Sequence, residues 1–297
     1  MANERLTSAD FPREVLDLFD AYVHGGLTRR GFLDAAARHL GGAAAAVTVL
    51  GALSPDWARG QVVAPDDRRV TTRWIDIASP AGNGTIRAYV AVPAGARKRR
   101  GVVLTVHENR GLNPHIQDIA RRLATHGFVA VAPDALTTLG GYPGSEDEAR
   151  ALFAKLDQAK LNADFIAAAE AARALPEGNG KLGATGFCYG GGVVGMLATR
   201  LPSLRAAAPF YGPPPPIAAI PAIRAEMEVH LAGNDARVNA RWPEAEAALK
   251  AAKIDHRVYV YEGAEHGFNN DTTPRFNPDA ARLAWNRTIA LFRRRLG

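Results

Sequence analysis

The chain has 297 residues, of which 47% are hydrophobic and 22% are charged, and it carries a formal net charge of +6 with a pI near 9.7. This composition excludes an intrinsically disordered chain, and the basic clusters at 97–100 and 293–295 lack the interleaved aromatic residues of a nucleic-acid surface, so we predict no nucleic-acid partner. The single cysteine, Cys188, excludes an internal disulfide and a zinc site built from several cysteines.

Residues 1–60 allow two interpretations. An amphipathic pattern up to residue 23 is followed by Arg29 and Arg30, then Phe32, then a stretch at 41–53 rich in alanine and glycine. This order resembles a twin-arginine export signal, which would make the protein periplasmic. Charged residues inside the apolar region and the lack of a clean cleavage site make the signal imperfect, and the equally weighted alternative is a retained helical extension that packs on the chain or on a partner subunit. The protein would then be cytoplasmic, and it could form a homo-oligomer through the extension.

From about residue 70, short strands alternate with helices. Two strands at 71–78 and 85–92 have the alternating pattern of a half-buried hairpin, and 101–107 is a continuous apolar run, as a strand covered on both faces should be. Further strands are predicted at 128–132, 181–187, 206–211, 228–232 and 256–261, and helices at 116–126, 146–158, 161–175, 193–200, 244–253 and 280–296. This alternation predicts one α/β domain at 61–297, with a mostly parallel sheet covered by helices on both faces. No other stretch approaches a membrane span, so we predict no stable membrane insertion.

The strand at 181–187 leads into a tight glycine-rich turn, Gly186-Phe187-Cys188-Tyr189-Gly190-Gly191, and a helix follows. Glycines two positions before and after Cys188 are what a nucleophile elbow requires, because side chains there would clash in so sharp a turn. A free cysteine is commonly a small buried hydrophobic residue, but that role needs no flanking glycines. We therefore predict that Cys188 is a nucleophile.

Two further polar residues follow strands on the same edge of the predicted sheet. Asp235 comes after the strand at 228–232, and His266 comes after the strand at 256–261. Cys188, Asp235 and His266 thus follow the chain order nucleophile, acid, base of the α/β-hydrolase fold. In such a triad His266 accepts the thiol proton and Asp235 orients the imidazole. Asp235 could also simply cap the helix that follows it.

Four motifs together resemble the dienelactone hydrolase (carboxymethylenebutenolidase) family over roughly residues 70–297. They are the turn at 186–191, Asn234-Asp235, Glu265-His266-Gly267-Phe268 and His107-Glu108-Asn109-Arg110-Gly111. The resemblance implies that Glu108 takes up the thiol proton in the resting enzyme, although a surface salt bridge to Arg110 is an alternative. It also implies an oxyanion hole made by the backbone N–H groups of Tyr189 and Asn109.

The sequence departs from this family at the arginines that hold the substrate carboxylate. The segment 134–142 contains no arginine, and Asn270 stands four residues after His266. A neutral or differently anchored ester or lactone is therefore expected as the small-molecule substrate. Arg110, Arg237 and Arg275 are alternative cations, and three aromatic residues could line the pocket or lie in the core: Tyr142, Tyr211 and Phe268.

The sequence thus predicts a cysteine-dependent hydrolase that cleaves a small ester or lactone through a thioester acyl-enzyme. No cofactor and no metal are expected, because His107, His115 and His266 share no ligand spacing. The alternative is a non-enzymatic module of the hydrolase fold, which uses Cys188 for binding or as a thiol sensor.

Overall fold

The apolar runs of the sequence form one eight-stranded sheet in a computed structural model that describes residues 5–297. The strands are β1 (Val70–Ser79), β2 (Gly84–Pro93), β3 (Arg100–Val106), β4 (Val129–Asp134), β5 (Gly178–Phe187), β6 (Leu204–Phe210), β7 (Glu226–Ala232) and β8 (His256–Tyr261). Their spatial order is β1-β2-β4-β3-β5-β6-β7-β8. Only β2 runs antiparallel to its neighbours, β1 and β4, and all the other pairs are parallel.

Helices connect the parallel strands, as crossovers between parallel neighbours require. Within the described residues they are α1 (Arg13–Val23), α2 (Arg29–Leu40), α3 (Ala43–Leu53), α4 (Pro114–Thr125), α5 (Glu146–Phe153), α6 (Gln158–Arg173), α7 (Tyr189–Arg200), α8 (Ala236–Asn239), α9 (Trp242–Ala251) and α10 (Pro278–Leu296). Several begin at a side-chain cap; Asn113 and Asp157, for example, accept backbone N–H groups of α4 and α6. The predicted α/β-hydrolase architecture is confirmed.

The sheet is buried on both faces, and alternate residues of a strand enter different cores. Val102 and Leu104 of β3 belong to a core shared with α6 and α7, whereas Val103 belongs to a second core shared with α4 and α10. This arrangement explains why β3 reads as an uninterrupted apolar run. It also fixes the carboxyl ends of the parallel strands along one edge.

The extension before the sheet forms three helices with a hydrophobic core of their own. Phe32 of α2 is fully buried and contacts the rings of Phe19 and Tyr22 on α1, and Leu50 and Leu53 of α3 complete this core. Within residues 5–297 no single helix has the length and hydropathy to cross a membrane; α2 and α3 would reach that length together, but the chain bends by 114° between them.

Candidate active site

Cys188 lies at a strained turn between β5 and α7. Its backbone has φ 54° and ψ −111°, a left-handed conformation that costs a non-glycine residue about 1–3 kcal/mol. A Cβ atom added to Gly186 would lie 2.3 Å from the carbonyl oxygen of Gly190, and one added to Gly190 would lie 2.4 Å from the carbonyl oxygen of Val106. Both glycines are therefore needed for the sharp turn, which presents the thiol at the edge of the sheet.

The two predicted partners of Cys188 come from the loops after β7 and β8. The Nδ1 atom of His266 lies 2.5 Å from Oδ2 of Asp235, and both side chains are buried. The other carboxylate oxygen of Asp235 accepts the backbone N–H of Val238 at 3.1 Å, so the residue also caps α8. Both interpretations of Asp235 are thus compatible with its position, since one oxygen serves each.

The charges in this cluster favour a thiolate and an imidazolium. Burial alone would raise the pKa of the Cys188 thiol, but the positive charge of His266 and the hydrogen bond from His24 lower it to about 6. Burial alone would lower the pKa of His266, but the Cys188 thiolate and the hydrogen bond to Asp235 raise it to about 10. Near neutral pH the two groups therefore form an ion pair, which is the reactive form of a catalytic cysteine.

His24, at the end of α1, is a third titratable group in this cluster that the sequence analysis did not identify. Its Nε2 atom lies 3.5 Å from the sulfur of Cys188 and 3.2 Å from Nε2 of His266. Its Nδ1 atom lies 2.8 Å from the backbone oxygen of Asp20 and 3.2 Å from that residue's carboxylate. The hydrogen bonds to Asp20 and Cys188 raise the pKa of His24 against the lowering effect of burial. The extension thus reaches the nucleophile directly.

A cavity of about 430 Å³ opens onto Cys188 and His266. One wall comes from the loops at the carboxyl edge of the sheet, and the opposite wall comes from the extension: Phe19, Tyr22, Val23, His24, Arg29, Val47, Leu50, Gly51, Leu53, Ser54, Pro55 and Trp57. Residues between Phe19 and Trp57 therefore shape the space in which a substrate would lie.

Polar contacts hold the extension over the cavity. Arg13 pairs with Glu265 at 2.8 Å, next to His266 in the chain, and Arg29 pairs with Asp147 at 3.2 Å. The side-chain amide of Asn109 donates to the backbone oxygen of Val23 at 3.0 Å. Arg29 belongs to the arginine pair that resembles an export signal, yet here it is part of the contact with the sheet domain.

Glu108 and the predicted oxyanion donors lie around the same cavity. Oε2 of Glu108 accepts a hydrogen bond from Asn270 at 3.4 Å, and the sulfur of Cys188 faces His24 instead. Within residues 5–297, the backbone N–H groups of Tyr189 and Asn109 donate to no protein acceptor. Such N–H groups are free to receive a developing oxyanion.

The four candidate substrate-binding residues divide into two groups. Arg110 and Tyr142 line the cavity, and both contact Glu146: Nε of Arg110 at 3.3 Å and the hydroxyl of Tyr142 at 3.0 Å. Tyr211 and Phe268 do not line it. They are buried in the core beside β6, where their rings contact each other, and Tyr211 packs behind the ring of His266. Of the two alternatives that the sequence left for these residues, the pocket wall is wrong and the core is right: Tyr211 supports His266 from the core side, and Phe268 packs on Tyr211.

Comparison with known proteins places this site in a family. The sequence matches the dienelactone hydrolase family over residues 86–296 and a second family, described as YqhI-like, over residues 2–40. A relative from Synechocystis, described as "Putative carboxymethylenebutenolidase", is 31% identical over 235 residues, which cover 73% of this chain and 95% of the relative.

Solved structures agree with this match. The structure described as "Putative Dienelactone Hydrolase" from Klebsiella pneumoniae has a TM-score of 0.66 and 28% identity, and covers 75% of this chain and 99% of its own. A dienelactone hydrolase-like promiscuous phosphotriesterase from metagenomic libraries has a TM-score of 0.66 and 25% identity, and covers 77% and 100%. The predicted resemblance is confirmed, and the chain belongs to the dienelactone hydrolase family of ester-bond hydrolases.

Proposed function

We propose that this protein cleaves a small ester or lactone with Cys188 as the nucleophile, through a thioester acyl-enzyme. The observation that carries the proposal is the thiol on a strained turn, within reach of the His266–Asp235 pair and facing a cavity. The non-enzymatic alternative does not account for this arrangement, because a thiol sensor needs a reactive cysteine but no acid–base partner held by a carboxylate. Membership of a hydrolase family also favours the enzyme.

The proposed reaction has two halves. The Cys188 thiolate attacks the carbonyl carbon, a C–S bond forms, and the oxyanion is stabilised by the N–H groups of Tyr189 and Asn109. When the intermediate collapses, the C–O bond to the leaving group breaks and His266 gives that oxygen its proton. His266 then takes a proton from water, the hydroxide attacks the thioester, and the C–S bond breaks to release the acid. Asp235 holds the imidazole in the required tautomer throughout.

For Glu108, we propose the role that the family resemblance implies. It would hold the Cys188 thiol through its proton while no substrate is bound and swing away on binding, so that the thiolate forms mainly in the complex. Its position supports this role, since Glu108 and Cys188 line the same cavity and the Glu108 carboxylate has only a 3.4 Å contact with Asn270. The ion pair between Cys188 and His266 would then describe the reactive state.

The substrate that this cavity favours is neutral or weakly anionic. Arg110 is buried, and Glu146 lies beside its guanidinium, so its charge is largely compensated. Arg275 lines the cavity with its closest carboxylate, that of Asp20, 3.7 Å away. A carboxylate-bearing substrate would therefore meet Arg275 and Arg29 on the cavity wall and not the arginines usual in the family.

The test is an activity screen over short acyl esters and lactones with the Cys188→Ala variant as control. We expect hydrolysis of p-nitrophenyl acetate by the wild type and its loss in the variant. Intact-mass measurement of a His266→Ala variant after exposure to the ester should show one acetyl group, since attack without a base for deacylation leaves the thioester. Full activity in the folded Cys188→Ala protein would refute the proposal.

We also propose that residues 1–60 are retained in the working protein. Cleavage after this segment would remove His24 and one wall of the cavity and would expose the residues that face them. Intact-mass analysis of the protein from its native host should give a chain that still contains the extension. A pool that consists mainly of chains beginning near residue 60 would contradict this.

A further inference from the structure

Three potential metal ligands meet where the extension touches the elbow. One ring nitrogen of His24, one of His266 and the sulfur of Cys188 all lie within 4.8 Å of one another. We propose that these three side chains form a binding site for a thiophilic divalent cation such as Zn²⁺, and that metal binding there blocks the nucleophile. His24 is the residue that distinguishes this site from an ordinary cysteine–histidine pair, because it adds the third protein ligand.

The distances fit a tetrahedral zinc ion. With Zn–N bonds of about 2.0–2.1 Å and a Zn–S bond of about 2.3 Å, the edge between two nitrogens is about 3.3 Å and the edge between nitrogen and sulfur is about 3.6 Å. The two nitrogens of His24 and His266 are 3.2 Å apart, and the sulfur of Cys188 is 3.5 Å from the His24 nitrogen. An ion could therefore bind these donors with little change in the His24–His266 and His24–Cys188 distances.

Both histidines are also oriented as zinc ligands usually are. A metal-bound histidine generally donates its other ring N–H to a carboxylate or a backbone carbonyl. Nδ1 of His266 faces the Asp235 carboxylate at 2.5 Å, and Nδ1 of His24 faces the backbone oxygen of Asp20 at 2.8 Å. These contacts fix both Nε2 atoms towards the shared centre. The fourth position of a tetrahedron would be open to the cavity, as in zinc sites that bind water or a small ligand.

One cation competes with the metal. Nη2 of Arg237 lies 3.1 Å from Nε2 of His24, the nitrogen that a metal would use, and its positive charge would repel the ion. The Arg237 side chain is 51% exposed and also pairs with Asp20 at 3.5 Å, so it has room to turn away. Removing the charge of Arg237 should strengthen metal binding, whereas substitution of a metal ligand should weaken it.

The effect on catalysis rests on the proposed function. Binding displaces into solvent the proton that the ion pair holds on His266, and the Cys188 sulfur shares its electron pair with the metal and no longer attacks a carbonyl. The same ion uses the nitrogen with which His266 would accept a proton. Zinc should therefore inhibit the hydrolase reversibly, and a chelator should restore the rate.

Metal binding is measured separately from activity. Full-length protein freed of metal by dialysis against a chelator is titrated with Co²⁺, and Zn²⁺ affinity is measured by equilibrium dialysis. We expect one ion per chain, a thiolate-to-cobalt charge-transfer band in the near ultraviolet and the visible bands of tetrahedral cobalt. His24→Ala and His24→Gln should weaken Zn²⁺ binding by ~100-fold or more, since loss of even an outer partner of a ligand costs 10–100-fold. His39→Ala, an exposed histidine of the same extension, should bind as the wild type does, and Arg237→Gln should bind more tightly.

Inhibition is then measured on Cys188-dependent ester hydrolysis, with each variant compared with its own metal-free rate. Absence of stoichiometric binding, or equal Zn²⁺ affinity in wild type and a folded His24→Gln variant, would overturn the proposed site. A rate that rises with Zn²⁺ would overturn its inhibitory role. Failure of the proposed function is a different result: the metal-free wild type would show no Cys188-dependent hydrolysis, while the cobalt spectrum could still appear.

Discussion

The reactivity of Cys188 should change most when His266 loses its charge. With a thiol pKa of about 6, about 90% of Cys188 is thiolate at pH 7; at the ordinary value of 9.0, about 1% would be. His266→Gln removes the strongest interaction that lowers this pKa, so the alkylation rate at pH 7 should fall by up to ~100-fold. His24→Gln should have a smaller effect, because the hydrogen bond of His24 contributes less than the charge of His266.

The assay is the rate of iodoacetamide labelling from pH 4.5 to 10, followed by intact mass. Because the chain has one cysteine, a single adduct identifies Cys188 without peptide mapping. The wild type should show a midpoint near pH 6, and His39→Gln should reproduce it. A wild-type midpoint above pH 8, or the same profile in His266→Gln, would refute the ion pair. A high midpoint that falls only when a substrate analogue is present would instead support a thiol that stays protonated beside Glu108 until substrate binds.

Three further changes test the elbow, the core and the extension. Gly190→Ala should abolish esterase activity, because its Cβ would lie 2.4 Å from a backbone oxygen of β3; wild-type turnover in this variant would contradict the account of the turn. His230 is fully buried, and burial lowers its pKa to about 3. Since the unfolded chain takes up this proton below about pH 6.5, urea unfolding should show a loss of about 2–3 kcal/mol between pH 7 and pH 4.5 that His230→Gln lacks. Phe32→Ala should lower the stability of the extension by about 3–5 kcal/mol. We expect faster proteolysis within residues 13–53 and lower turnover, while the sheet stays folded. Unchanged turnover would argue against the extension as a wall of the cavity.

The sheet edge was predictable because the relevant signals are local. Gly186 and Gly190 mark the elbow by their spacing alone, and Asp235 and His266 lie in the loops that follow two apolar strands, β7 and β8. Parallel strands bring their carboxyl ends to one edge, so separate loops converge without any knowledge of side-chain packing. The family resemblance added the proposed oxyanion donors, Tyr189 and Asn109, which also follow strands of this edge.

His24 could not be found in this way. It is separated from Cys188 by 164 positions, and its place depends on how three short helices pack over the cavity. The only local signal is a histidine at the end of an amphipathic helix, followed by Gly25 and Gly26, which is also typical of a helix end without function. The positions of Tyr211 and Phe268 could not be predicted for a related reason. An aromatic residue beside a loop of the site can face the cavity or the core, and the sequence does not distinguish the two.

Because the extension has its own hydrophobic core, its local stability controls access to the cavity. Residues 13–53 bury their apolar side chains mainly against one another, so they form a natural unit for sub-global unfolding that leaves the sheet intact. The free energy of that opening would then set how often Cys188 meets solvent, and amide hydrogen exchange in α1–α3 would report it. Substitutions far from the elbow, such as those in the core around Phe32, should therefore change the opening rate and the range of accepted substrates while Cys188, Asp235 and His266 stay unchanged.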